Sequence, residues 1–437
     1  MPHSPPTKSA TAPDHASINP GSSQLQNGSQ QYLHSFANGL TLVAESIPGV
    51  RSAAMTFLVP AGAASDPIGG AGAATVLSDW ILRGAGTRDS RELTEYLDGL
   101  GVQRSASAET VFLRFSAAML GKNLLNVLPV YADIVRTPHL PDDGFDPARD
   151  LALQQLDSIE DEPSHKLSLL LRERHFPFPY GRPSSGKRED LEKLTAANAR
   201  TDAKSRLTAK GAILSVAGMF DWDELVACVG EAFEAWTAGS FVKLPEEPGK
   251  RGTFHVKQET NQSQIGLGFD AIAENQPDSI LLQAAMNVLS GGMGARLFTE
   301  IREKQGLCYS VHAGYSSLKH QGAVFGYSGT SPDRAQRTLD SFIVELKKFS
   351  AGITQEELDR ALIGMKSRVI MQGDSSGARA GSLAHDFYHR GRTRTLSELR
   401  ALIDSVTLGK VNEFLAGNPM GGLTVVTIGP EELKVHL

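Results

Sequence analysis

The chain has 437 residues, of which 41% are hydrophobic and 21% charged, and a formal net charge of -6. That length supports more than one sizeable core, and the mildly acidic balance excludes a polyelectrolyte binder of nucleic acid or of an anionic membrane surface. The two cysteines, Cys228 and Cys308, lie far apart with no C-x-x-C or Cys/His ligand spacing, which excludes a disulfide framework and a structural zinc cluster and points to a reducing compartment.

Residues 1–34 are rich in Ser, Pro, Gln, Asn and Thr and lack the apolar stretch of a secretory signal, so they read as a flexible leader. No apolar run approaches the ~20 residues of a membrane span, and a cytoplasmic location is expected. The first strand is Ser52 to Val59, followed by an irregular stretch with Asp66-Pro67 and a helix over 73–82. An amphipathic helix closed by Gly101 follows over 93–101, then a strand over 110–117 and a helix over 123–135. A turn at Pro141-Asp142-Asp143-Gly144-Phe145 leads into another helix, and a strand over 212–217 closes this half.

From residue 264 the order repeats. A strand over 264–269, a polar stretch with Pro277-Asp278 and a helix over 280–289 precede an amphipathic helix over 298–306, again closed by glycine. Strand-rich segments at 307–311 and 324–327 follow, then a helix over 334–349. Thr354 and Glu357 form a capping box that opens the next helix, and a strand over 423–428 ends the series. Matched order over both halves predicts duplication and an α+β fold: two homologous domains, each a mainly antiparallel sheet with helices packed on one face. The boundaries read 35–240 and 255–437, joined by a linker at 241–254 that carries Pro245, Pro248, Gly249 and Gly252 among charges.

The helix at 73–82 lies in the tract Gly72-Ala73-Ala74-Thr75-Val76-Leu77-Ser78-Asp79-Trp80-Ile81-Leu82-Arg83-Gly84. This is the frame of an inverzincin helix, H-x-x-E-H, in which two His share one face to hold zinc and the Glu activates water. Here the motif positions read Thr75, Ser78 and Asp79. Two hydroxyls and one carboxylate cannot supply the three His or carboxylate ligands of a catalytic zinc.

Further tracts carry the same resemblance: Asn38-Gly39-Leu40-Thr41-Leu42-Val43, Phe178-Pro179-Tyr180-Gly181-Arg182-Pro183, Gly291-Gly292-Met293-Gly294-Ala295-Arg296-Leu297-Phe298, and Arg302-Glu303-Lys304-Gln305-Gly306-Leu307-Cys308-Tyr309-Ser310. Together they resemble the pitrilysin and insulinase family, in its short bacterial form similar to mitochondrial processing peptidase subunits. The resemblance places the third zinc ligand, a Glu on a later helix, at Gln155, so that carboxylate is also missing. It implies no zinc in this chain. It further implies that Arg302 and Tyr309 are the pair that binds substrate carbonyls and stabilises the tetrahedral oxyanion. Both side chains suit that role, a guanidinium fork for carbonyl oxygens and a phenol donor for developing charge. Taken alone, Arg302 reads first as a cation complementing a helix C-terminus and Tyr309 as strand packing, and only the preserved Arg-Glu-Lys-x-Gly-Leu-x-Tyr frame favours the functional role.

Other signals are weaker. His385 and His389 are four apart with Asp386 between, but Arg379, Arg390, Arg392 and Arg394 crowd them and oppose a cation, so they read as a polar helix face. Gly291-Gly292-Met293-Gly294 follows a helix and lacks a Gly-Lys-Ser/Thr ending, which makes it a turn. Glu160, Asp161 and Glu162 point in different directions from a helix, and Ser184-Ser185-Gly186 lacks the strand and pattern of a nucleophile elbow. Ser105, Ala106 and Ser107 fall where the resemblance places an edge strand that takes an extended peptide.

The expected function is a zinc-free subunit of a heterodimeric zinc peptidase. It would contribute Arg302 and Tyr309 to the active site of a homologous partner with an intact H-x-x-E-H motif and its zinc, for cleavage of unfolded peptides. The alternative is a non-catalytic scaffold or peptide-holding protein of the same fold, in which the pair are relics.

Overall fold

The computed structural model describes residues 23–24, 28–239 and 244–436. It contains two main sheets. The first has seven strands in the order Ser23–Gln24, Gln30–Ser35, Thr41–Ser46, Ile213–Gly218, Ser52–Val59, Leu113–Leu120 and Gln103–Ala108. The second has five, in the order Thr253–Lys257, Thr424–Gly429, Ser263–Ala271, Gly322–Thr330 and Ser310–Ser317. Each sheet has one parallel pair, Thr41–Ser46 with Ile213–Gly218 and Thr253–Lys257 with Thr424–Gly429. All other pairs are antiparallel. The last five strands of the first sheet match the five of the second in order and direction, as duplication requires. No described helix is long and apolar enough to cross a membrane.

Residues 30–34 depart from the leader expected from their composition. They belong to strand Gln30–Ser35, which pairs along its length with Thr41–Ser46, and Tyr32 stacks on Trp222 with ring centroids 4.6 Å apart. Polar side chains did not prevent this, because backbone pairing supplies the strand's hydrogen bonds. The rest of the leader lies outside the described residues, apart from residues 23–24, 28 and 29. So do residue 240 and part of the expected linker, at 241–243.

Strand alternation divides each sheet into two buried faces. Met55, Phe57 and Val59 point into the main core of the first half, beside Trp80, Tyr131 and Phe233 from its own helices. Ala54 and Leu58 point the other way and meet Ala380, Leu383 and Ala384 of helix Ser376–Arg390, which belongs to the second half of the chain. The second sheet reciprocates. Ile265 and Leu267 enter its own core, while Val426 and Ile428 on its other face pack against Leu167 and Leu171 of helix Pro163–His175, from the first half. Gly266 permits that approach: a Cβ there would lie 3.1 Å from Leu167 Cδ2. The two halves therefore exchange one helix each, and neither sheet is closed without the other half.

His175 ends the exchanged helix Pro163–His175 fully buried, with Nδ1 3.0 Å from Thr424 Oγ1 and Nε2 3.6 Å from Asp270. Burial, aided by the nearby Arg251 charge and opposed by Asp270, lowers its pKa from 6.5 to about 4. The neutral ring is the folded form, so this contribution is complete above the unfolded value near 6.5. It is lost as pH falls from there toward 4, by up to about 3 kcal/mol. Urea unfolding at pH 7 and pH 4.5 is expected to show a steeper acid loss of stability for the natural chain than for His175→Gln. Equal pH dependence in the two would remove His175 as the source.

Candidate functional site

The helix Ala73–Trp80 carries the degenerate zinc frame on the first half. Its N-terminus is fixed by the buried Asp66, which accepts the Gly72 and Ala74 N–H groups at 2.8 and 2.9 Å and pairs with Arg206 at 3.0 Å. Gly72 itself has φ 104°, a conformation that favours glycine, and sits against Gly186 and Leu191. The three motif side chains are all occupied within the protein. Thr75 Oγ1 donates to the Ser184 carbonyl, Ser78 Oγ donates to the Thr75 carbonyl at 2.7 Å, and Asp79 accepts from Arg83 at 2.7 Å. Gln155 is exposed on helix Asp142–Glu160, which packs against this one. Among the described residues, no three His, Cys, Asp or Glu side chains converge here. Two back-bonded hydroxyls, one salt-bridged carboxylate and an amide do not form a zinc donor set.

On the second half, residues 298–306 do not form the regular amphipathic helix expected from their pattern. Phe298–Glu303 is a π-helical turn, in which Lys304 N–H reaches back five residues to the Thr299 carbonyl at 3.0 Å. Such single π turns are frequent at functional sites because they re-aim one side chain out of the α-helical phase. Gly306, at φ 60°, then reverses the chain, and its N–H closes onto the Arg302 carbonyl at 3.1 Å. Ile301 and Leu307 are buried as anchors, while Arg302 between them projects outward. The Arg302 guanidinium rests over the Phe298 ring, 4.7 Å from its centroid. Tyr309 bonds through its N–H to the Gly329 carbonyl at 2.9 Å and leaves its ring 58% exposed, at the entrance to the edge strand Ser310–Ser317.

Gln103–Ala108 is an edge strand of the first sheet, paired only with Leu113–Leu120 among the described residues. Ser105 and Ser107 face outward and Ala106 is half-buried. The free backbone of such an edge is able to pair with an extended peptide.

The structure adds a cluster that spacing alone did not reveal. His385 and His389, on helix Ser376–Arg390, meet Glu274, a residue more than a hundred positions earlier, and the ligating atoms of the three lie within 4.8 Å of one another. His385 Nε2 is 2.7 Å from Glu274 Oε2, and the two imidazole rings are 4.4 Å apart. Burial opposes ionisation of Glu274, but the bond to His385 and the surrounding cations bring its pKa down to about 2. The i, i+4 histidines were visible in sequence. Nothing short of the fold identifies Glu274 as their third member.

Comparison with known proteins gives the family and the fold. Residues 41–185 match the family model described as insulinase, peptidase family M16, and residues 193–365 match the one described as the peptidase M16 inactive domain. The chain is similar to an uncharacterized zinc protease of Mycobacterium tuberculosis, at 26% identity over 385 residues covering 86% of this chain and 87% of that one. Among solved structures, one described as a peptidase M16 inactive domain from Pseudomonas fluorescens superposes with a TM-score of 0.82 at 20% identity, covering 93% of this chain and all of that one. A chain of the complex III dimer of Candida albicans reaches a TM-score of 0.76 at 16% identity over 91% of this chain and 95% of that one.

Proposed function

Because this chain belongs to the insulinase family of peptidases, M16, we propose that it is the subunit of a heterodimeric zinc peptidase that carries no catalytic zinc. Arg302 and Tyr309 would complete the active site of a homologous partner that carries an intact H-x-x-E-H motif. The observation that carries this reading is the asymmetry between the two half-sites. Thr75, Ser78 and Asp79 are each bonded to another group of this chain, whereas Arg302 and Tyr309 are exposed, one on the π turn and one just after it. A substrate-clamping surface without a hydrolytic centre needs that centre from elsewhere. At such a clamp a guanidinium fork would hold peptide carbonyls and a phenol donor would favour the transition state.

The isolated chain is expected to cleave no unstructured peptide, and addition of a zinc-motif homologue from the same source is expected to restore cleavage. Peptidase activity of the isolated chain that is lost on Asp79→Asn would overturn the reading of this helix. Thr75→His alone is expected to restore nothing, because it supplies one ligand of the three required and no general base.

The scaffold reading remains the second one, supported by the likeness in fold to a chain of a complex III assembly. It expects a complex that assembles and holds peptide without any contribution of this chain to turnover.

A further inference from the structure

We propose that Glu274, His385 and His389 form a zinc site of this chain's own, separate from the degenerate frame on helix Ala73–Trp80 and independent of the proposed peptidase role. The donor set is a standard one. Two imidazoles four residues apart on one helix face and one carboxylate satisfy the protein side of a four-coordinate zinc, with water in the fourth position. Their ligating atoms lie within 4.8 Å of one another, and donors around one zinc are roughly 3.4 Å apart, so small side-chain rotations close the set.

The objection from the neighbouring arginines is answered by where those arginines point. Arg394 is taken up by the buried Asp386, at 2.5 Å, with its own N–H on the same carboxylate at 3.1 Å. Arg390 bonds Ser279 Oγ at 3.2 Å and reaches Glu274 Oε1 at 3.5 Å, and Arg394 lies 3.8 Å from that same oxygen. The cations thus hold Oε1, while Oε2 faces His385. A ligating carboxylate oriented through its second oxygen is the usual outer-shell arrangement of a metal site.

Two further observations point to a missing partner. His389 is 6% exposed, and its Nδ1 is buried without a hydrogen bond, which is costly for an imidazole unless something else takes up the ring's polarity. A cavity of about 200 Å³, lined by His385, His389, Tyr388 and Arg114 among others, gives the site access from the junction between the halves. Glu274 is itself positioned, its N–H donating to Ser317 Oγ at 3.0 Å just beyond strand Ser263–Ala271. A zinc ion there would tie the exchanged helix, which closes the first sheet, to the end of a strand in the second. It would act as a staple across the junction.

The test is equilibrium dialysis of the metal-free full chain against low micromolar zinc sulfate, with elemental analysis and thermal unfolding in parallel. The natural chain is expected to bind about one equivalent and to unfold at a higher temperature with zinc than without. His385→Ala, at a half-exposed position, and Glu274→Gln are each expected to weaken binding by about 10- to 100-fold and to abolish the zinc-dependent thermal shift. Asp79→Asn is expected to leave both unchanged, which separates this site from the frame on helix Ala73–Trp80. Absence of zinc binding by the natural chain would overturn the proposal. So would binding that survives both substitutions, or a zinc equivalent lost on Asp79→Asn.

Discussion

A complex reconstituted with Tyr309→Phe is expected to turn peptide over about 10- to 1000-fold more slowly, with assembly unchanged. The substitution removes one hydroxyl and nothing else. The ring is already 58% exposed and the backbone is held by the N–H bond to Gly329, so neither packing nor the turn depends on the phenol oxygen. Arg302→Ala is expected to raise KM as well, because a guanidinium that grips substrate carbonyls acts in the ground state and in the transition state. Circular dichroism and gel filtration of the complex establish that both variants fold and pair. A complex carrying both substitutions that cleaves at the unmodified rate would make the pair relics and leave the scaffold reading.

The largest effect on stability is expected at Glu45 and Arg379. Glu45 lies on strand Thr41–Ser46 and Arg379 on the exchanged helix Ser376–Arg390, and both are essentially inaccessible to solvent. The Arg379 guanidinium donates to both Glu45 oxygens, the longer contact being 3.2 Å, while Gln31 adds a bond to Glu45 at 2.7 Å and another to the Arg394 carbonyl at 3.1 Å. Glu45→Ala leaves a buried guanidinium without its counter-charge and is expected to cost about 3–5 kcal/mol. The double variant Glu45→Met with Arg379→Met is expected to recover most of that loss, since it removes both charges and fills the space with apolar atoms. Urea unfolding of the single and double variants gives the cycle. A cost for Glu45→Ala under about 1 kcal/mol would mean that water enters the junction and screens the pair.

The architecture was largely readable from residue order. Short apolar runs marked Ser52–Val59 and its counterpart near 264–269, glycines marked the ends at 101 and 306, and the repetition of these features announced two related sheets. That Thr75, Ser78, Asp79 and Gln155 are not, as a set, residue types from which a catalytic zinc site is built was also legible, because ligand chemistry is a property of residue type. So was the frame around Arg302 and Tyr309. These are local signals, carried by neighbours in the chain and by side-chain chemistry that does not depend on the fold.

Tertiary structure alone decided the rest. The exchange of helices Pro163–His175 and Ser376–Arg390 between the halves leaves no periodic mark, since an amphipathic helix shows that it has an apolar face but not which sheet covers it. The π turn at Phe298–Glu303 has the residue pattern of an ordinary helix, and nothing in that pattern sets the five-residue bond from Lys304 to Thr299. Residue types near His385 and His389 show arginines but not their partners, and the fold pairs Arg394 with Asp386 and brings Arg390 to one oxygen of Glu274. A contact between residues 274 and 385 is made by the path of the chain through space, and no spacing along the chain encodes it.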